Sequence, residues 1–253
     1  MQLNFRQKQQ FFENGFVHVP GVVPRVMVDA ARRAINNSLG QGLHPDDVSR
    51  FSAQSYCPSV QGTPVISDLY NATPLRALAE SAIAPDVVRG VGSGQIALRF
   101  PTMKDPPGRA HAHLDGIHSE TNGVPKGTIA SFTALVAVLL SDVEEDGAGN
   151  FTVWPGSHHL YRDYFKEHGH DILLGATPPV DLGPPQPILG KAGDVVLCHY
   201  QLGHGITPNV SPNVRYAVFF RLKHRDHDAQ SVEILTDIWR HWPGIRETIP
   251  EAR

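Results

Sequence analysis

The 253-residue chain predicts a mainly β fold, a sandwich or jelly-roll barrel, with helices gathered in its N-terminal third. Three observations predict it. Apolar residues recur at helical spacing through the first third of the chain. From residue 91 onward the pattern changes to short β-branched or aromatic runs separated by Gly, Pro and Asp. The 21 Pro and 23 Gly also suit a loop-rich β architecture better than a helical bundle. No internal repeat, low-complexity tract or linker divides the chain. Residues 1–253 therefore read as one domain, with 1–90 mostly helical and 91–253 the jelly-roll core.

Residues 5–13 read as a short helix stopped by Asn14-Gly15, and 16–20 alternate as a strand. Residues 22–39 have helical spacing, through Met27, Ala30, Ala31, Ala34, Ile35 and Leu39, and end at Gly40. Residues 40–65, rich in Gly, Pro, Ser and Asp, form a long surface loop or a lid. Residues 73–83 are helical, with Thr73 as N-cap and Pro74 in the first turn. Strands are expected over 95–100, 129–143, 150–154, 194–199 and 215–222. Residues 157–168 interrupt them as a helix capped by Ser157 and ended by Gly169, and a last helix is expected over 229–241.

With 41% hydrophobic and 19% charged residues the composition is that of a soluble globular protein. A formal net charge of -3 gives no electrostatic case for nucleic acid or an anionic membrane. The two cysteines, Cys57 and Cys198, do not form a disulfide framework or a zinc knuckle, and Cys198 reads as a buried small hydrophobe. Residues 1–10 lack the apolar core of a signal peptide. The longest apolar run, 129–140, is shorter than the ~20 residues a bilayer span takes. These features predict a cytosolic, reduced protein. Oligomeric state is not readable.

The chemistry centres on His113-x-Asp115. In an extended segment, residues two apart share a face, so an imidazole and a carboxylate aim at one point. That is two-thirds of a facial 2-His-1-carboxylate iron site, which leaves positions open for substrates. In a chain with 14 His the triplet alone is weak, and a surface histidine near a solvated aspartate is the plain alternative. A second feature raises it. An apolar strand from Asp194 ends in a turn, and His204-Gly205 follows, then Thr207, Asn209, Ser211 and Arg215. Arg215 shares a strand face with Ala217 and Phe219, which partly buries it, and a buried arginine requires an anionic partner. A guanidinium fork suits a carboxylate bidentately.

The combination of His113-x-Asp115, Gly149-Asn150-Phe151-Thr152-Val153-Trp154-Pro155-Gly156-Ser157-His158, Gly193-Asp194-Val195-Val196, and His204-Gly205 with Asn209, Ser211 and Arg215 resembles the phytanoyl-CoA dioxygenase family. The opening Asn14-Gly15-Phe16 is similar to that family's start, and the likeness covers most of the chain. It implies a double-stranded β-helix, cupin-like, and an Fe(II)- and 2-oxoglutarate-dependent dioxygenase. Such an enzyme hydroxylates a small organic substrate with O2 and releases succinate and CO2. By the same resemblance His113, Asp115 and His204 bind the metal, and Arg215 holds the distal carboxylate of 2-oxoglutarate. Arg99 takes the slot of a basic residue on the preceding strand. Phe132 takes that of an aromatic near the co-substrate, where relatives often have Trp. Thr207 and Ser211 are expected as further polar contacts. Related halogenases have a small residue at the Asp115 position, so its carboxylate favours hydroxylation.

For the other histidines the expected roles are structural. His111, which shares the face of His113 and Asp115, is expected to line the pocket or support a ligand rather than compete as one; His118 is expected at the pocket rim or in a plain loop, His158 and His159 at the start of a helix, and His199 packed near the site. Substrate walls are expected from residues 40–65, 101–109 and 116–126. Two rival readings stand beside the oxygenase: a cupin-like metalloenzyme that does not use 2-oxoglutarate, and a catalytically inactive jelly-roll binding protein. Arg215 discriminates among them, because neither rival needs to bury it.

Overall fold

Every strand of the main sheet alternates between two different apolar surfaces, and that alternation builds the molecule. The computed structural model describes residues 1–85, 88–102 and 108–252. Eight strands are present among them: β1 (Phe16–Val19), β2 (Gln95–Arg99), β3 (Ala134–Leu139), β4 (Phe151–Val153), β5 (Gln186–Pro187), β6 (Val195–His199), β7 (His204–Ile206) and β8 (Arg215–Leu222). Five form an antiparallel sheet in the order β1-β6-β3-β8-β2, and three form a smaller one in the order β5-β4-β7. The two sheets face each other as the halves of a jelly roll.

On the main sheet Val136, Val138, Leu197, Val218, Phe220 and Ile96 face outward, into a core shared with the helices. Leu135, Ala137, Val196, Cys198, Ala217, Phe219 and Ala97 face inward, toward Phe151 and Val153 of the smaller sheet. Both faces are covered, so β3 and β6 are buried at every position.

The helices are α1 (Phe5–Asn14), α2 (Arg25–Leu39), α3 (Val48–Ala53), α4 (Pro64–Asn71), α5 (Pro74–Glu80), α6 (Ser157–His168) and α7 (Pro243–Arg246). Helix α1 opens with a reciprocal Asn4/Gln7 capping box and ends on Gly15 in the left-handed conformation. Thr73 caps α5 as expected, accepting from the Leu75 N–H. None of these helices is long and apolar enough to cross a membrane.

Three expectations are corrected. Residues 40–65 are not one loop, because a 3-10 turn (Pro45–Asp47), α3 and the start of α4 occupy them. Ser157 does not cap α6. Gly156 stands at the cap, and the Ser157 hydroxyl accepts the Gly203 N–H at 2.8 Å, tying α6 to the approach to β7. Residues 229–241 do not form a helix but wind through the 3-10 turns His227–Ala229 and Glu233–Leu235. A straight helix presents one apolar stripe. This segment must place Leu235 in the inner core and Ile238, Trp239 and Trp242 in the outer one.

Candidate metal centre and carboxylate anchor

His113 and His204 face each other across an isolated antiparallel bridge. Each backbone N–H donates to the other residue's carbonyl, at 2.9 Å from His113 and 3.2 Å from His204. Their rings lie 4.6 Å apart between centroids. Gly205 permits this approach: a Cβ there would stand 2.4 Å from the His111 carbonyl oxygen. Asp115, two residues past His113, turns its Oδ1 to both rings and lies 3.5 Å from each Nε2. One donor atom from each of the three lies within 4.8 Å of the others, a grouping that can hold a metal ion.

The surroundings fix the donors. The Nδ1 of His204 is 2.9 Å from the Leu202 carbonyl, and a proton shared there leaves Nε2 with its lone pair toward Asp115. The other oxygen of Asp115, Oδ2, accepts from Arg221 Nε at 2.9 Å and Nη2 at 2.6 Å. Burial acts to raise the Asp115 carboxyl, but the Arg221 charge and then the two facing imidazoles outweigh it and hold the group well below the usual carboxylate range. It is therefore a carboxylate, as a divalent cation requires.

Arg215 opens β8 opposite Arg99 of β2. It is 2% exposed. Its Nε donates to the Gly149 carbonyl at 2.7 Å and its Nη1 to the Ala97 carbonyl at 3.0 Å, while Nη2 is buried with no partner. Gly149 has φ +72°, and a Cβ there would press on Arg99 Cβ at 2.9 Å and on Arg215 Cβ at 3.3 Å. Burial, and then the Arg99 charge, push the Arg215 guanidinium down to about 9. Arg99 reaches the cavity wall and, among the described residues, donates to the Leu98 carbonyl. No carboxylate among the described residues pairs with either arginine; Glu144 pairs with Lys191 instead. Two neighbouring guanidinium groups with no acid among the described residues, one with an orphaned donor, form a site for an anion.

The three donors and Arg99 line a cavity of about 840 Å³ that opens between the sheets. Apolar wall comes from Leu135, Phe151, Ile206 and Phe219, and polar wall from Gln54, Gln61, Gln95 and His118. Of the expected walls, residues 52–54 and 61 and residues 116–119, 122 and 124 line it. In the 101–109 segment, 103–107 lie outside the described residues. Residues 175–177 add a wall that the sequence reading missed.

The chain belongs to the phytanoyl-CoA dioxygenase family. The family model matches residues 11–217, which include His113, Asp115, His204 and Arg215. Membership makes it a 2-oxoglutarate-dependent non-haem iron oxygenase, and Fe(II), 2-oxoglutarate and O2 are its cofactor set. Three solved structures share the fold. One is SnoK, a non-heme alpha ketoglutarate dependent carbocyclase from nogalamycin biosynthesis, 21% identical, covering 90% of this chain and 91% of that one, with a TM-score of 0.57. The second is HygX from Streptomyces hygroscopicus with nickel and 2-oxoglutarate bound, 21% identical over 88% of each chain, TM-score 0.58. The third is EctD from S. alaskensis in its apoform, 20% identical, covering 88% of this chain and 77% of that one, TM-score 0.56. A comparison with curated proteins finds no match.

The remaining expected contacts fall elsewhere. The Thr207 hydroxyl donates to Asn150 Oδ1 at 3.0 Å, and that of Ser211 to Asn209 Oδ1 at 2.7 Å. The first ties the end of β7 to the residue before β4, the second stays within the β7–β8 connection, and neither residue lines the cavity. Phe132 is buried beside Tyr200, with the Arg221 guanidinium 5.8 Å from its ring centre, and is not on the cavity wall. His111 is exposed and off the wall, whereas His118 lines it with Nδ1 on the Val124 carbonyl. His199 donates to or accepts from the Ile238 carbonyl at 2.9 Å and packs on Trp239 and Trp242, away from the three donors. His158 and His159 both reach the Phe12 carbonyl. The functional residue that sequence reasoning missed is Arg221. Its signal is its place on the Arg215–Ala217–Phe219 face of β8, just past the end of the family match.

Proposed function

We propose that His113, Asp115 and His204 hold Fe(II), that Arg215 and Arg99 anchor 2-oxoglutarate, and that the enzyme hydroxylates a small organic substrate seated in the cavity. The observation that carries this reading is that the triad and Arg99 line one cavity, with Arg99 paired across the sheet to the buried Arg215. A facial triad has its carboxylate Oδ1 3.5 Å from both imidazoles, and beside it lies an arginine pair with a buried unpartnered donor. The donor set, two imidazole nitrogens and one carboxylate oxygen, fits iron.

When bound, iron, 2-oxoglutarate and O2 supply the oxidising chemistry, with succinate and CO2 as co-products. The chain's own part is placement. The His113–His204 bridge fixes two ligand side chains on rigid backbone, and the Leu202 carbonyl sets the His204 tautomer. The fork of Arg215 is held to two carbonyls, leaving Nη2 to meet the far carboxylate of the co-substrate, with Arg99 alongside. Phe151, Phe219 and Leu135 keep water from the reacting face, while Gln54, Gln61 and Gln95 offer polar contacts to the substrate. A cavity of about 840 Å³ suits a small molecule. Two free, buried cysteines fit a reducing, cytoplasmic setting.

Anaerobic titration of the apo protein with Fe(II) and 2-oxoglutarate tests this reading. A weak visible charge-transfer band is expected in wild type, diminished in Arg215→Ala. Iron bound without the band favours a cupin-like enzyme that does not use 2-oxoglutarate. No iron bound leaves a jelly-roll binding protein.

A further inference from the structure

The two oxygens of Asp115 have separate partners. Oδ1 faces His113 Nε2 and His204 Nε2, while Oδ2 is bonded to Arg221 through both Nε and Nη2. We infer that Arg221 is a positioning residue that reserves Oδ2, so that Asp115 ligates the metal through Oδ1 alone. The inference rests on the metal-site reading above.

A carboxylate on a divalent cation can bind through one oxygen or through both. Using both takes a coordination position that a facial triad must leave open for co-substrate and O2. A carboxylate with no brace on its second oxygen is also free to swing about its Cβ–Cγ bond. Arg221 opposes both. Its planar fork puts two N–H donors, and its positive charge, on Oδ2, the oxygen that a second metal contact would need. Among the described residues nothing else bonds Oδ2. The arginine is itself held. It projects from β8, whose long pairing with β3 fixes the backbone, and its guanidinium lies over the Phe132 ring. The buried Phe132 thus supports Arg221, which supports Asp115. One strand serves both halves of the site, with the co-substrate anchor Arg215 at its start and the brace Arg221 near its end, on the same face.

Apo wild type, Arg221→Met, Arg221→Gln and Arg221→Lys are titrated with Co(II) alone, followed by its visible d–d bands, with thermal unfolding run alongside. The Met and Gln variants are expected to bind Co(II) roughly 10–100-fold more weakly, as loss of a group that orients a ligand does. Their bands should shift, because the freed carboxylate offers both oxygens. Lys, which restores the charge without the fork, should recover part of the affinity. A merely structural role would lower the unfolding temperature and leave the bands of the bound ion in place, and that result overturns the inference. So do wild-type affinity and unshifted bands in whichever neutral variant folds, while the metal reading stands. Failure of wild type to bind Co(II) overturns both.

Discussion

Replacing Arg215 by Met separates a structural arginine from one kept for a ligand. In the apo protein the substitution removes two charge-assisted hydrogen bonds, to the Gly149 and Ala97 carbonyls. Each contributes about 1.5–3 kcal/mol. It also removes a cation that is 2% exposed and has no carboxylate beside it among the described residues, a burden of several kcal/mol. The two effects offset, so the apo variant should unfold within about 2 kcal/mol of wild type. With Mn(II) present and 2-oxoglutarate at a hundred times its dissociation constant, wild type should gain about 2.7 kcal/mol. For a chain of this size that raises the unfolding temperature by about 5–10 °C. Losing a buried charge partner costs about 2–5 kcal/mol of binding, or about 30-fold or more in affinity. At the same ligand concentration the variant should then gain less than about 1 kcal/mol. Thermal unfolding of both proteins, with and without 2-oxoglutarate, reads all four states. A variant that loses more than about 6 kcal/mol in the apo form, the upper bound for its two hydrogen bonds, yet keeps the full 2-oxoglutarate shift would refute the argument. Arg215 would then be a brace.

Other outcomes follow from the same geometry. Asp115→Ala should abolish succinate formation and weaken Mn(II) binding; near-wild-type turnover would end the assignment of Asp115 as a ligand. Gly205→Ala forces a Cβ to within 2.4 Å of the His111 carbonyl, so the His113–His204 bridge must shift. The variant should unfold about 1–3 kcal/mol more easily and bind Mn(II) at least about tenfold more weakly; calorimetric titration showing unchanged affinity would mean the bridge does not set the site. Burial pushes the His199 imidazole down to about 4. The unfolded chain takes up that proton near pH 6.5 and the folded chain does not, so this contribution is complete above about pH 6.5 and is lost as pH falls toward 4. Urea unfolding should show about 2 kcal/mol less stability at pH 5 than at 7.5 from this group. His199→Gln should shrink the difference, and a variant with the full wild-type pH dependence would count against His199 as its source.

The sheet was legible because strand alternation is local. Val218, Phe220 and Leu222 against Ala217 and Phe219 already divide β8 into two faces, and both faces turn out to be buried. The metal triad was legible because His113 and Asp115 are two apart in an extended segment, and the distal His204 and Arg215 stand in a recognisable order. Arg221 was not. Its meaning depends on Asp115, 106 residues earlier, and nothing in its neighbourhood marks a partner so far off. The C-terminal segment was misread for a related reason: its apolar residues look like one helical stripe but serve two cores. Thr207, Ser211 and Phe132 are close in sequence to site residues, yet their side chains are taken up by Asn150, Asn209 and Tyr200.

The antiparallel bridge between His113 and His204 joins two points about ninety residues apart, a long loop whose closure is entropically costly. A metal held by both imidazoles would act there as a removable cross-link, fastening the start of the jelly roll to its last strands. The holo protein should resist proteolysis through the whole intervening chain, β3 to β6 included, and a chelator should loosen that entire span at once. Iron supply would then govern how long each molecule survives as well as whether it turns over.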